Sequence, residues 1–347
     1  MIAAAGTGGH IYPGLAIADY FQKKKHQVSW TGTAAGMENK LVNKKLINFY
    51  IIRMKGVRGK GLVEWIKLPL GLMASIYESI LILRKENPSF VVLMGGYICF
   101  PIAIAAKLLS IKIVIHEQNA IAGLSNKLLS KISSKTFLGF KNNIKDGLVV
   151  GNPIRESLYE IPEVNERFKG RSGPLRILVI GGSLGAMVFN ETLPAIFSLV
   201  NSKKRIEVIH QSGAMNYEKL NNNYSKYNLN VKTKKYIEDM GSHLAWADLV
   251  IARAGALTVS ELLELGIASI LIPYPFAVDD HQLLNAKVLK IKSATKIILE
   301  KNIKEGLANL LLKIDRVECM RMAMNAKTKF RQQACKNIYE YLITDEK

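Results

Sequence analysis

His10 is the residue in this sequence best placed for acid–base chemistry. It ends the run Gly6-Thr7-Gly8-Gly9-His10, which follows the short apolar stretch Met1–Ala5. Imidazole titrates near neutrality, so a histidine on an open glycine loop can take a proton from an attacking hydroxyl. The same ring can instead donate to a bound phosphate or cap the next helix. A helix N-terminus disfavours the imidazolium, which suits the base role. From the residues alone both roles stay open. Glu117, in His116-Glu117-Gln118-Asn119, is the rival base, and capping the next helix is its plain structural reading. His26, His210 and His243 read as surface or core residues, and His116 as a support for Glu117.

Further glycine turns stand at Gly95-Gly96-Tyr97, at Gly181-Gly182-Ser183-Leu184-Gly185 and at Arg253-Ala254-Gly255-Ala256-Leu257-Thr258. Glycine lets backbone approach a ligand closely, and a helix start offers unpaired N–H groups and partial positive charge. Two common phosphate loops do not fit. The dinucleotide pattern fails because its third glycine would fall at Ile11, and no Gly-Lys-Ser/Thr of a Walker loop occurs. Glycine loops in both halves point to one phosphorylated ligand in an interdomain cleft.

The elements that must carry these loops alternate between short β-rich runs and amphipathic helices. That rhythm predicts parallel sheets covered by helices on both faces. It runs through Phe90–Leu93 and Ile111–Ile115, restarts at Leu175–Ile180, and continues through Asp248–Ile251 and Ser269–Ile272. The polar, breaker-rich segment Glu156–Pro174 reads as a linker. The fold class is therefore α/β, with two doubly wound Rossmann-like domains facing across a cleft. The first spans 1–155, the linker 156–174 and the second 175–325, followed by a C-terminal helical stretch over 326–347.

The chain has 347 residues, 49% hydrophobic and 22% charged, enough for two cores. Its net charge of +20 calls for an anionic partner or a lysine-rich solvated surface. No nucleic-acid module is recognisable, so phosphorylated substrate and anionic lipid remain. Cys99, Cys319 and Cys335 are too few and too scattered for a disulfide framework or a zinc site, as in a reducing compartment. No secretion signal is read at the start. The most apolar stretch, Val91–Leu109, is broken by Gly95, Gly96 and Pro101, so no transmembrane helix is expected.

Seven segments in order match one family. Gly6–Ala16, Met94–Tyr97, His116–Asn119, Gly151–Arg155, Gly181–Ala186, Gly255–Glu261 and Asp280–Ala286 resemble the peptidoglycan N-acetylglucosaminyltransferase (MurG) family. The resemblance implies the GT-B fold, acceptor domain first and UDP-sugar domain second, with the last helix returning to the first domain. It implies an inverting transfer of GlcNAc from UDP-GlcNAc to the C4 hydroxyl of undecaprenyl-diphospho-MurNAc-pentapeptide. The product is lipid II, for cell-wall synthesis, cell shape and division. It also implies a peripheral place on the cytoplasmic face of the bacterial inner membrane, beside other cell-wall synthesis proteins. Another GT-B nucleotide-sugar enzyme, a glycolipid synthase or a UDP-GlcNAc 2-epimerase, is the alternative. There are departures. Ala5 stands where glycine is usual, Leu184 where glutamine is usual, and only five residues precede the first glycine loop.

Roles follow residue by residue. Thr7, Gly8, Gly9 and Tyr97 belong to the acceptor-side loops. Glu261 matches the position that meets the ribose, Ile237 the position that meets uracil, and Asn119 and Gln282 the positions that meet GlcNAc and the donor. Ala256, Leu257, Thr258, Val259 and Ser260 complete the donor segment. No Asp-x-Asp occurs, and Asp279 and Asp280 are adjacent, so they point to different sides. Helix starts near Ser183 and Ala256–Thr258, with Arg155, are therefore expected to neutralise the leaving diphosphate without a metal or cofactor. Ile66, Leu70, Met73 and Ile76 form one helical stripe flanked by Arg58, Lys60, Lys67, Arg84 and Lys85. Periodicity alone favours a core-facing helix. The resemblance favours docking on an anionic membrane.

Overall fold

Runs that are apolar at every position cannot leave one face in water, so they form strands covered on both sides. Val91 to Met94 and Ile177 to Val179 are such runs, and all of these residues are buried. The structure is a computed structural model that describes residues 1–54, 62–182, 184–327 and 333–344. The first group of strands is β1 (Ile2–Ala4), β2 (Ser29–Gly32), β3 (Asn48–Ile51), β4 (Phe90–Gly95), β5 (Lys112–Glu117), β6 (Lys135–Leu138) and β7 (Leu148–Val149). The second is β8 (Leu175–Ile180), β9 (Ile206–Gln211), β10 (Val231–Lys234), β11 (Leu249–Ala252), β12 (Ser269–Leu271) and β13 (Thr295–Ile297).

Among the described residues, the two sheets run β3-β2-β1-β4-β5-β6-β7 and β10-β9-β8-β11-β12-β13. Neighbouring strands are parallel, as at β1 and β4 or β8 and β11. Strand order reverses at those two pairs. In doubly wound sheets ligands bind beyond the carboxyl ends of the strands at that reversal. The loops after β1 and β4, and after β8 and β11, are the glycine turns singled out above.

The chain divides into two units, Met1–Arg155 with Gln332–Lys347, and Glu156–Arg331. The segment read as a linker is folded. It holds a 3-10 turn, Glu156–Glu160, and a helix, Val164–Phe168. The buried Arg167 guanidinium donates to the carbonyls of Leu265 and Gly266 at 2.9 and 2.5 Å. These end the helix Ala256–Glu264, so Arg167 serves as its C-terminal cap. Arg171 reaches Asp248 at 2.7 Å, and Arg316 reaches the other oxygen at 3.0 Å. The polar composition thus reflects anchoring side chains as well as turns.

In the first unit the helix Ala334–Thr344 buries Ile338 and Leu342 beside Ile17, Phe21 and Phe137. Tyr339 sets its ring edge-on to Phe21 at 5.1 Å. The helix Leu62–Glu86 has an inverted character. Ser75, Ser79 and Leu83 are buried, whereas Leu70 and Met73 are 73% and 67% exposed. Ser75 Oγ donates to the Gly71 carbonyl at 2.8 Å and Ser79 Oγ to that of Ser75 at 2.7 Å. These bonds let the serines lie inward. The core-facing expectation therefore fails at Leu70 and Met73. Ile76 is half-buried. The side chains of Ile66 and Lys67, and residues Arg58 and Lys60, lie outside the described residues. Among the described residues, no helix is long and apolar enough to cross a membrane.

Candidate active site

The turn after β1 passes straight into the helix Gly8–Lys23, with extended Thr7 as N-cap. That helix start has no side-chain cap and no acid in its first turn, leaving its partial positive charge unopposed by its own residues. Thr7 accepts from the His10 and Ile11 amides at 3.0 and 3.3 Å. His10 is half-buried in this first turn. Its Nδ1 lies 3.3 Å from the Ala5 carbonyl. A carbonyl only accepts, so Nδ1–H donates, and the neutral ring then carries its lone pair on Nε2.

Two glycines after β4 shape the space around this ring. Gly95 and Gly96 have φ of +111° and +93°, and a Cβ on Gly95 would stand 2.9 Å from His10 Nε2. One on Gly96 would stand 2.8 Å from the Ala5 oxygen. Any side chain there would displace the imidazole or its carbonyl partner. Tyr97 follows with its ring exposed. Arg155 lies over the Tyr12 ring at 5.6 Å, on the same helix as His10.

Glu117 ends β5 as a buried carboxylate. Its Oε1 accepts from the Asn119 amide and Nδ2 at 2.9 and 3.1 Å. Its Oε2 accepts from the Gly123 amide at 3.1 Å and Asn126 Nδ2 at 2.8 Å. Four donors on one carboxylate make it the organiser of residues 118–126, with Asn119 held directly. Behind it, buried His116 has its pKa pushed down to about 4 by burial. Its Nε2–H donates to the Gly151 carbonyl at 2.9 Å, while Nδ1 faces Gln118 Nε2 at 3.3 Å.

The second unit builds its loops by backbone against backbone. A Cβ on Gly185 would stand 1.9 Å from the Ser212 oxygen, and one on Gly213 2.1 Å from the Leu184 oxygen. Ser183 lies outside the described residues. Leu184 is strongly exposed. Gln211, which ends β9, joins two parts of this region. Its Nε2 donates to the Gly182 carbonyl and its Oε1 accepts from the Ile237 amide, both at 2.9 Å. Ile237 itself is buried, so its backbone more than its side chain is tied to the loop.

After β11, Gly255 is the N-cap of the helix Ala256–Glu264, again with no side-chain cap and no acid in the first turn. Ala256 is buried, Leu257, Thr258 and Glu261 are half-buried, and Val259 and Ser260 point into the interior. The Val259 amide bonds back to the Gly255 carbonyl at 2.9 Å. Val259 and Ser260 therefore hold the helix, and the others line its opening turns. Gln282 Oε1 accepts from the amides of Ala254 and Tyr274 at 3.2 and 2.9 Å. That fixes the amide's orientation and leaves Nε2 as its donor end. Arg253 is turned elsewhere, paired with Glu300 at 2.5 Å. Asp279 and Asp280 both sit at positive φ, 52° and 50°, where such residues are uncommon. Among the described residues, no three His, Cys, Asp or Glu side chains gather as metal ligands would.

Sequence reasoning missed Gln211 and Glu38. Glu38 is fully buried in the short helix Glu38–Leu41. Its Oε1 accepts from Thr33 N and Oγ1 at 2.8 and 2.7 Å, and its Oε2 from the Gly6 amide at 3.4 Å. A signal existed in the spacing Gly32…Gly36…Glu38. A Cβ on either glycine would strike the Glu38 side chain, at 2.6 and 2.1 Å.

The glycosyltransferase family 28 N-terminal domain matches residues 1–138 and the family 28 C-terminal domain residues 176–338. The UDP-N-acetylglucosamine–N-acetylmuramyl-(pentapeptide) pyrophosphoryl-undecaprenol N-acetylglucosamine transferase of Cupriavidus necator is 42% identical over 341 residues, 98% of this chain and 96% of that protein. The transferase of the same name from Nitrosospira multiformis is 40% identical over 344 residues, again 98% and 96%. The crystal structure of Acinetobacter baumannii MurG superposes with a TM-score of 0.82 at 33% identity, covering 99% of each chain. The chain belongs to glycosyltransferase family 28 and, within it, to the MurG family of N-acetylglucosamine transferases.

Proposed function

We propose that this enzyme transfers GlcNAc from UDP-GlcNAc to the C4 hydroxyl of a polyprenyl-diphosphate-linked MurNAc-pentapeptide, with inversion at the anomeric carbon. The observation that carries the mechanism is the His10 tautomer. The Ala5 carbonyl holds Nδ1–H, so Nε2 is the basic nitrogen, on a helix start without a cap or an acid in its first turn. His10 removes the acceptor proton as the C4 oxygen attacks. The amides of Thr7, Gly8 and Gly9 favour the acceptor diphosphate, with Arg155 over Tyr12 of the same helix and Tyr97 beyond the Gly95–Gly96 turn. Glu117 keeps Asn119 in place to meet sugar hydroxyls.

In the second unit the helix start at Ala256–Thr258 and the loop around Ser183 stabilise the departing UDP. Glu261 receives the ribose hydroxyls, the backbone at Ile237 meets uracil, and Gln282 Nε2 donates to the transferred sugar. No metal or cofactor is assigned a step. The exposed Leu70 and Met73, with the rest of their stripe, rest on the cytoplasmic leaflet that carries the acceptor, and the net charge of +20 favours anionic lipid. Other cell-wall synthesis proteins would be its neighbours there, and loss of activity would show in cell shape and division.

The test is His10→Ala, assayed for turnover and for thermal protection by UDP-GlcNAc beside UDP-glucose, UDP-galactose and NAD. UDP-GlcNAc should protect wild type and variant alike, while turnover falls by ~100-fold or more, as loss of a general base predicts. Turnover near normal removes the base role. Equal protection by NAD removes the donor assignment.

A further inference from the structure

The Ala5–Gly6 peptide group is bonded at both ends. Its N–H donates to Glu38 Oε2 at 3.4 Å and its C=O accepts from His10 Nδ1 at 3.3 Å. Glu38 is fully buried and among the described residues forms no ion pair. Burial of a carboxylate is costly. Yet two glycines, Gly32 and Gly36, clear the room for this one, and Thr33 fixes its other oxygen. Hydrogen bonds in a chain polarise one another. A carboxylate at the N–H end makes the carbonyl at the other end a stronger acceptor, and a stronger acceptor raises the basicity of the imidazole it holds. A Cβ at Gly96 would stand 2.8 Å from the same carbonyl oxygen, so glycine there leaves the oxygen its place.

We propose that Glu38 is a positioning residue that raises the basicity of His10 through the Ala5–Gly6 peptide. The inference rests on the reading of His10 as the general base. Other titratable groups come from the elements around His10. Tyr97 and Cys99 come from the turn and helix after β4, and Arg155 lies over Tyr12. Glu117 and His116 are bonded to partners of their own, around residues 119–126 and at Gly151. Beyond the C-terminal end of the helix, His26 bonds Tyr339 at 3.2 Å. Glu38 is joined to the ring by hydrogen bonds through the Ala5–Gly6 peptide.

The test is Glu38→Gln, nearly the same shape without the charge, with Thr33→Val as a control that disturbs the same pocket and keeps the charge. The His10 pKa is followed by histidine NMR in the unliganded full-length protein, and kcat is measured against pH. In Glu38→Gln the His10 pKa and the acidic limb of kcat should both move down by about 0.5–1 unit. The plateau should fall ~3–10-fold while KM for UDP-GlcNAc stays put. Thr33→Val should leave the limb where it is. An unmoved His10 pKa in folded Glu38→Gln overturns the relay, as does an equal shift in Thr33→Val. If Glu38→Gln does not fold, Glu38→Asp, which shortens the reach to Gly6, must move the His10 pKa downward or the relay fails. An acidic limb that persists in His10→Ala defeats the base reading, and the NMR pKa still decides the electrostatic link.

Discussion

Changing Gln211 to Met keeps its volume and removes both bonds that tie the Gly182 carbonyl to the Ile237 amide. The costs differ at the two ends. Ile237 is only 1% exposed, so its orphaned N–H loses about 1–3 kcal/mol. Gly182 is half-buried and can take water, so its carbonyl loses about 0.5–1.5 kcal/mol. Together the folded second unit should weaken by ~2–4 kcal/mol. If these segments hold diphosphate and uracil, part of that loss falls on the donor, and UDP should bind ~10–100-fold more weakly. Gln211→Glu separates the two ends. It keeps an acceptor for Ile237 and sets an oxygen against the Gly182 carbonyl, with a charge beside the loop. Donor affinity should therefore rank wild type, then Met, then Glu. Urea unfolding of the unliganded protein and calorimetric titration with UDP read the two effects apart. Met binding UDP within twofold of wild type, despite a clear drop in stability, would refute the donor part and leave Gln211 a purely structural link.

Three further outcomes are expected. His116 and His210 are buried, and burial holds their pKa values down at about 4 and about 3. Both are neutral when folded and protonate near pH 6.5 when unfolded. Stability should be full above pH 6.5 and fall as pH drops toward 4, by about 3 kcal/mol from His116 alone. Urea midpoints that stay flat from pH 7 to 4.5 would contradict this. Asp248→Ala removes the carboxylate that Arg171 and Arg316 share and leaves both cations to backbone carbonyls, which should cost ~3–5 kcal/mol. Because the chain has two units, the loss belongs in the transition of the second, and equal shifts in both would argue against it. Leu70→Asp with Met73→Asp should weaken binding to anionic vesicles by ~100-fold or more, with activity on a short-chain soluble acceptor preserved. Unchanged sedimentation with vesicles would retire that face as the docking surface.

Strand–turn–helix units were legible because apolar runs and glycine turns are local signals. The loops around Gly8, Gly95, Gly182 and Gly255 could therefore be marked in advance. Their meeting at the strand-order reversals needed the topology. What stayed hidden was long-range. Glu38 meets Gly6 only because β2 pairs with β1, and Gln211 meets Gly182 because β8 pairs with β9. Neither residue stands out by period or composition. Glu156–Pro174 looked like a connection because it is polar and rich in breakers, and the carbonyl and carboxylate partners of Arg167 and Arg171 lie far along the chain. The stripe at Leu70 and Met73 was periodic as expected. Only the fold reveals that small serines took the inner side.

The helix Ala334–Thr344 has a consequence for how the protein is made. A ribosome delivers every strand of the first sheet, then the whole of the second unit, before it releases the segment with Ile338 and Leu342 that completes the first core. The nascent first sheet must wait with the Phe21 and Phe137 surface uncovered while the later domain folds. The second unit is therefore inserted in sequence between the two parts of the first. A stalled or prematurely terminated chain would expose a sticky apolar seam on its older half, a natural mark for chaperones and proteases.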